Sequence, residues 1–338
     1  MAETQRIEYI DLAKGICICL VVWNHICNGF VRTPFYFTAM IFRMPLYFFL
    51  SGLFFKTYGG FVNFCLRKTN KLLVPFLVFH FLTAFVWMVV TDIIGLRFSW
   101  ELCLQHFRTF LLAPYNEKFP NEAIWFLFCL FIMNVFYYAC LSIASRFEKQ
   151  TFILVNITFL IGFGGYYLGN KGVSIPFYVD SAMTALPFFS LGYCIRKYTN
   201  LLSPNRWDKY NLLFVIVCTL ISFVMAQGIT WYHLNKFENN VVQLYIGGFC
   251  GLMAVLLFSK QVKHLPVISY FGRYSIIILV THFFLFPYVR RGVDLLNLEF
   301  VPTLLITFVL TMLCYIGIIP VFIKYLPHIT AQKDLIKV

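Results

Sequence analysis

The sequence predicts an all-α fold: a polytopic transmembrane helix bundle of about ten helices with both termini in the cytoplasm. Three observations carry this. Of the 338 residues, 60% are hydrophobic and 12% charged, with 41 Phe, far more apolar surface than a soluble domain can bury. Charge-poor runs of about 20 residues, each enough to cross a bilayer as a helix, recur along the whole chain. With the N-terminus inside, 18 of the 27 Lys and Arg residues fall in cytoplasmic segments, a two-to-one bias in the sense of the positive-inside rule.

The first predicted helix, 12–31, follows Arg6, Glu8, Asp11 and Lys14, lacks a small-residue cleavage site and is followed by further spans, so it reads as uncleaved. The second, 42–57, opens from the outer side with Arg43 and Pro45 and contains Ser51-Gly52. The third, 72–91, is entered from the cytoplasm through the basic stretch LRKTNKLLVPFL, residues 66–77. A long outer loop, 92–123, follows; its 100–112 stretch mixes Phe and Leu with charged residues, as a short helix lying in the interface does. Glu122 and Trp125 stand at the entrance of the fourth helix, 124–143, and the fifth covers 151–168. Asp180 marks the outer mouth of the sixth, 181–195, and helices at 211–229, 241–258, 274–289 and 303–325 complete the set. With no internal repeat and no low-complexity segment, one domain spans 1–338.

The net charge of +13 follows mostly from the basic cytoplasmic loops, which argues against a nucleic-acid partner. The eleven cysteines are scattered. Cys17 and Cys19, the closest pair, fall on different helix faces, and no CxxC or Cys/His ligand spacing points to a metal or a disulfide framework.

Chemistry is expected where ionisable groups enter the spans. At about 1.5 Å per residue, His25 lies roughly 21 Å along the first helix from Asp11, past the bilayer centre, while Lys14 stays near the inner surface. The eleven-residue separation of Lys14 and His25 is close to three turns, so both share nearly one face. An ionisable group at such depth is a functional candidate, although an interhelical hydrogen bond satisfies it equally well. His282, about 14 Å into its helix from Arg273, lies at comparable depth; His80 is expected to be shallower and structural. Arg67, Lys68 and Lys71 suit phosphate groups, and equally suit topology signalling and lipid head-group contact. Arg43, Ser51, Glu122, Trp125 and Asp180 are polar or amphipathic groups at helix mouths or seams, where N-caps, small-residue packing and interfacial anchors are alternative uses.

The segment RIEYIDLAKGICICLVVWNH, with its basic-x10-His spacing from Lys14 to His25, resembles the first-helix signature of the membrane-bound acyltransferase-3 family. The similarity continues in FFLSGLFF, in the basic pair before LLVPFL, and in IWFLFCLF, LPFFSLGY and GRYSIIILVTHFFL, in order over nearly the whole chain. The nearest variant resembles bacterial sugar or polysaccharide O-acetyltransferases of the cytoplasmic (inner) membrane. The resemblance implies transfer of an acyl group, usually acetyl from acetyl-CoA, to a carbohydrate acceptor handled at the outer face, with His25 catalytic. The family's Arg-x-x-Arg pair, associated with the donor, is here Lys68-x-x-Lys71, which keeps two point charges but loses the bidentate fork.

On this reading Lys14, Arg67, Lys68 and Lys71 hold the donor phosphates. The pantetheine arm reaches toward His25, which acts as general base or acyl carrier. Asn24, Ser51 and His282 orient the ring or stabilise the oxyanion, and Arg43, Glu122, Trp125 and Asp180 recognise the acceptor. No metal is implied, membrane lipids are the other partners, and the oligomeric state stays open, a homodimer included. The rival reading is a proton-coupled exporter of a sugar or acylated metabolite, which suits deep histidines and helix prolines but lacks an internal repeat.

Overall fold

The computed structural model describes residues 7–27, 32–88, 101, 104 and 121–337. The predicted outer loop 92–123 and its interfacial stretch lie outside these residues, apart from 101, 104 and 121–123. The elements are α1 Glu8–Cys27, α2 Pro34–Leu53, α3 Phe61–Lys68, α4 Val74–Met88, α5 Trp125–Ala144, α6 Gln150–Asn170, α7 Val179–Tyr198, α8 Asn211–Met225, α9 Val241–Val262, α10 Pro266–Arg273, α11 Ser275–Asp294 and α12 Phe300–Tyr325. Between α8 and α9 sits a small antiparallel hairpin, β1 Thr230–Trp231 and β2 Lys236–Phe237. Among the described residues nine segments are long and apolar enough to cross a membrane. The long helix outside that set is α7, whose ends carry Asp180, Arg196 and Lys197. The chain is thus an all-α polytopic bundle, as the sequence predicts.

Helix limits differ from the sequence reading in ways that matter for the site. The second helix starts at Pro34, not 42, because Thr33 caps it, its hydroxyl accepting from the Tyr36 N–H at 3.2 Å, and Pro34 brings a pre-set φ to the first turn. Arg43 is therefore not at the helix mouth; it is a mid-helix residue, only 8% exposed. The third span starts at Phe61: α3 continues through one turn of wider, π-type winding, Thr69–Leu73, into α4. His80 consequently lies deeper in its span than expected; it is buried and stacks on Phe76 with centroids 5.4 Å apart. The helix expected to run to 229 stops at Met225 to make way for the hairpin, and α10 was not anticipated.

The centre of the bundle is α1 and α2, and α8 is the skirt: 72% of the α2 span is buried within the protein, against 11% of the span ending in α8. Two backbone crossings fix this centre. A Cβ on Gly15 of α1 would lie 1.9 Å from the Ile268 carbonyl oxygen, and one on Gly272 of α10 would lie 1.7 Å from that of Asp11. Gly52 and Gly192 make the same reciprocal contact between α2 and α7, at 1.9 Å from Phe189 O and 2.1 Å from Phe49 O. Glycine is required at these crossings because only a missing side chain lets two helix backbones come this close, the small-residue packing typical of membrane bundles.

Candidate active site

On α1, Lys14, Ile18, Val21 and His25 follow the i, i+4, i+7, i+11 rhythm of one helix face. The first three line a cavity of about 280 Å³ that also takes in Tyr47, Ser51, Lys68, Ser275 and Leu279. On α11, Ser275 and Leu279 lie on the face that next carries His282. Both walls of the cavity therefore lead, about one helical turn further on, to a histidine. The two rings meet, His25 and His282 lying with centroids 5.2 Å apart, and Phe283 closes against both at 4.8 Å.

The hydrogen bonding of His282 defines its tautomer. Its Nδ1 lies 2.9 Å from the Ile278 carbonyl oxygen. A carbonyl only accepts, so Nδ1 carries the proton and Nε2 keeps a lone pair. That Nε2 is buried and has no partner among the described residues, and the same is true of the Asn24 Oδ1 beside His25 in sequence. Buried polar atoms are normally paired; of the ten without a partner among the described residues, these two belong to the histidine pair and the residue adjoining it.

Helix α2 runs antiparallel to α1. The Tyr47 hydroxyl donates to the Lys14 carbonyl at 3.0 Å, and the Cys17 thiol donates to that of Arg43 at 2.9 Å. The Arg43 backbone is thus level with Cys17, and its guanidinium interacts electrostatically with Tyr36, Cys17 and His25. Ser51 lies beyond Tyr47, at the lysine end, where it lines the cavity and receives a long contact from Asn134 Nδ2 at 3.5 Å. It is a wall residue of the lower cavity and is not beside His25.

The basic residues expected to act together do converge. Arg67, Lys68 and Lys71 line a second cavity of about 250 Å³, which shares Ser51, Lys68, Leu72 and Leu130 with the first. The Lys68 ammonium lies over the rings of Phe64 and Phe55, at 5.6 and 6.0 Å, and Arg67 over Tyr58 at 5.0 Å. These contacts hold the cationic heads at the cavity walls.

At the histidine end Trp125 is buried, with Tyr178 at 5.8 Å and His233 at 6.1 Å between ring centroids. Glu122 is exposed and interacts electrostatically with Tyr178. Asp180 is only 3% exposed. Its carboxylate interacts with the backbone N–H groups of Ile175, Asp180 and Ser181, around the start of α7, and with the Asn235 side chain of the hairpin. Asn235 also donates to Gly165 O at 2.8 Å and accepts from Thr184 Oγ1 at 2.7 Å. Asn239 ties the hairpin base by donating to Gly228 O and Thr230 Oγ1, both at 2.9 Å.

This braced hairpin carries His233, a residue the sequence reading did not single out. It contacts Trp125 and Trp231, and it belongs with His282 and Arg43 to the charged or ionisable groups that interact with His25. Asn121 was also missed: fully buried, it donates to the Val280 carbonyl at 3.0 Å and so ties the entrance of α5 to the helix bearing His282. His233, between two-residue strands, and Asn121, just before Glu122, fall outside any periodic apolar run that would mark them.

Among the described residues no group of three His, Cys, Asp or Glu side chains is arranged to hold a metal ion. The architecture is that of a multi-pass membrane protein with a basic cavity at one end of a helix pair and paired histidines about a turn beyond it. The family model for an acyltransferase domain, Acyl_transf_3, matches residues 7–320, and the chain belongs to the acyltransferase-3 family. No curated protein and no solved structure matches it.

Proposed function

We propose that this acyltransferase works in the bacterial cytoplasmic (inner) membrane. It moves an acetyl or similar acyl group from cytoplasmic acyl-CoA to a hydroxyl of a sugar or glycan acceptor at the outer face. The observation that carries the reading is the cavity bounded by Lys14 and Lys68, whose α1 and α11 walls lead to the His25–His282 pair. From Lys14 to His25 the helix climbs about 16 Å, a span the extended pantetheine arm matches. Lys14, Arg67, Lys68 and Lys71 hold the phosphates while the thioester reaches the histidines, so the donor need not cross the bilayer.

In the direct route His25, neutral, removes the acceptor hydroxyl proton as the oxygen attacks the thioester carbonyl. The C–S bond breaks, and the CoA thiolate leaves with the proton that His25 returns. In the two-step route a His25 nitrogen takes the acyl group first, releasing CoA, and the acceptor hydroxyl then displaces it. In either route the His282 Nε2 lone pair is suited to receive an N–H from His25 and fix its tautomer, and Asn24 adds a second polar contact. Acceptor recognition falls to Trp125, Glu122, Arg43 and His233, with Asp180 bracing the hairpin.

The test uses purified protein in nanodiscs with radiolabelled acetyl-CoA and a panel of glycans, comparing wild type with His25→Ala. Transfer by the variant should fall about 100- to 10,000-fold, the range for loss of a general base. Undiminished transfer would sink the assignment of His25, and substrate flux with no acyl transfer by wild type would favour the exporter.

A further inference from the structure

After α12 the chain turns back, and residues 327–337 lie across the segment that joins α3 to α4. The anchor is Asn70, 1% exposed: its Oδ1 accepts from the N–H groups of Leu335 and Ile336 at 3.0 and 2.8 Å, and its Nδ2 donates to the Ile336 carbonyl at 2.8 Å. This anchorage brings Asp334 to the rim of the 250 Å³ cavity, whose other charged groups are Arg67, Lys68 and Lys71. The Asp334 carboxylate pairs with the Lys71 ammonium at 2.9 Å, and Lys71 also donates to the Ala331 carbonyl at 3.0 Å.

A carboxylate among three cations is in the place an anionic ligand takes. The pair is half-exposed, with side chains 49% and 39% accessible, so it contributes little to stability. Its effect on an incoming phosphate is larger in proportion, since the phosphate loses half of Lys71 and meets a like charge. The three Asn70 hydrogen bonds, part-buried, hold Asp334 there whether or not the ion pair is made.

We infer that the 327–337 segment is a built-in competitor for the donor's phosphate groups, with Asp334 occupying Lys71 until a phosphate displaces it. The inference rests on the donor reading of the basic cavity. It gives the site a task beyond capture: the carboxylate lowers affinity for the phosphate groups that acyl-CoA and spent CoA share, and so speeds release of the product.

The experiment measures CoA binding to the full chain in nanodiscs by calorimetry, for wild type, Asp334→Asn, Lys71→Ala, the double variant and Asn70→Ala. Asp334→Asn should bind CoA about three- to tenfold more tightly, the effect of removing one like charge near a surface site. The gain should shrink in the Lys71→Ala background, because the lysine being competed for is gone. Asn70→Ala, by freeing the segment, should move affinity in the same direction; if that variant does not fold, the Asp334 arm decides alone. Unchanged or weaker CoA binding by Asp334→Asn would overturn the inference. So would a gain of equal size with and without Lys71, which marks a diffuse charge effect. Failure of wild type to bind CoA at all would instead overturn the donor reading itself.

Discussion

The crossing of α1 and α10 offers a direct test of whether helix spacing governs the reaction. Replacing Gly272 by Ala puts a methyl carbon 1.7 Å from the Asp11 carbonyl oxygen. Cβ atoms essentially never come within 3.0 Å of such a neighbour, so the helices have to part by an ångström or more. The neighbour is backbone and cannot rotate away. α10 runs through Tyr274 into α11, so the displacement is passed to Ser275, Leu279 and His282, while α1 carries Lys14 and His25. The His25–His282 centroid separation of 5.2 Å thus changes by a sizeable fraction of its length. Misplacement of about 1 Å at a reacting centre costs about 100-fold in rate, whereas overpacking of this kind destabilises by about 1–3 kcal/mol. Gly272→Ala should therefore still purify as a folded, monodisperse helical protein yet transfer acyl groups about 100-fold more slowly. Gly292→Ala is the control, on the same helix as His282, with nothing within 4 Å of the added methyl. Equal activity in the two variants would refute the coupling of this crossing to the site.

Lys68→Ala combined with Lys71→Ala should weaken CoA binding about 10- to 100-fold, the loss expected for charge-assisted contacts to phosphate, and titration calorimetry reads it directly; unchanged affinity removes both lysines from the donor site. His233→Ala should raise the acceptor KM about tenfold, in the range of one lost polar contact, while leaving the donor KM alone, and His233→Asn should recover part of the loss. An acceptor KM that does not move would detach the hairpin from acceptor recognition.

Hydropathy made most of the bundle legible, and it misplaced the residues it treats as boundaries. Reading Arg43 as the mouth of α2 followed from the cost of a charge in hydrocarbon. The cost is real for a lipid-facing residue and much smaller for one packed in the protein interior, where the Cys17 thiol meets its carbonyl at 2.9 Å and its guanidinium interacts with Tyr36 and His25. Thr33-Pro34 announced the true start by capping chemistry, a weaker signal than the apolar run that follows. The hairpin was hidden for a related reason. Its strands are two residues each, too short for alternation, and its order comes from Asn239, which ties the hairpin base, and from Asn235, whose bonds to Gly165 and Thr184 are long-range in sequence.

His25 and Arg43 pose the same problem in opposite directions. An ionisable residue inside an apolar run is either the end of a helix or part of an interior site, and the two readings predict different neighbours rather than different compositions. For His25 the sequence offered neighbours, Lys14 on the same face and a second deep histidine, His282, and the two rings do meet. For Arg43 no such companion exists in sequence; its electrostatic link to His25 follows only when α2 is set antiparallel to α1. Asp180 shows the converse, a buried carboxylate that looks functional in sequence and whose hydrogen bonds are spent on the hairpin and the α7 terminus. Unspent polar atoms do not by themselves separate a group available to a substrate from one holding the fold together, since Asn121, whose amide ties α5 to α11, also keeps an unpartnered Oδ1; where such atoms cluster is what distinguishes them. His282 Nε2 and Asn24 Oδ1 are both unspent, and they belong to the histidine pair and to the residue next to His25.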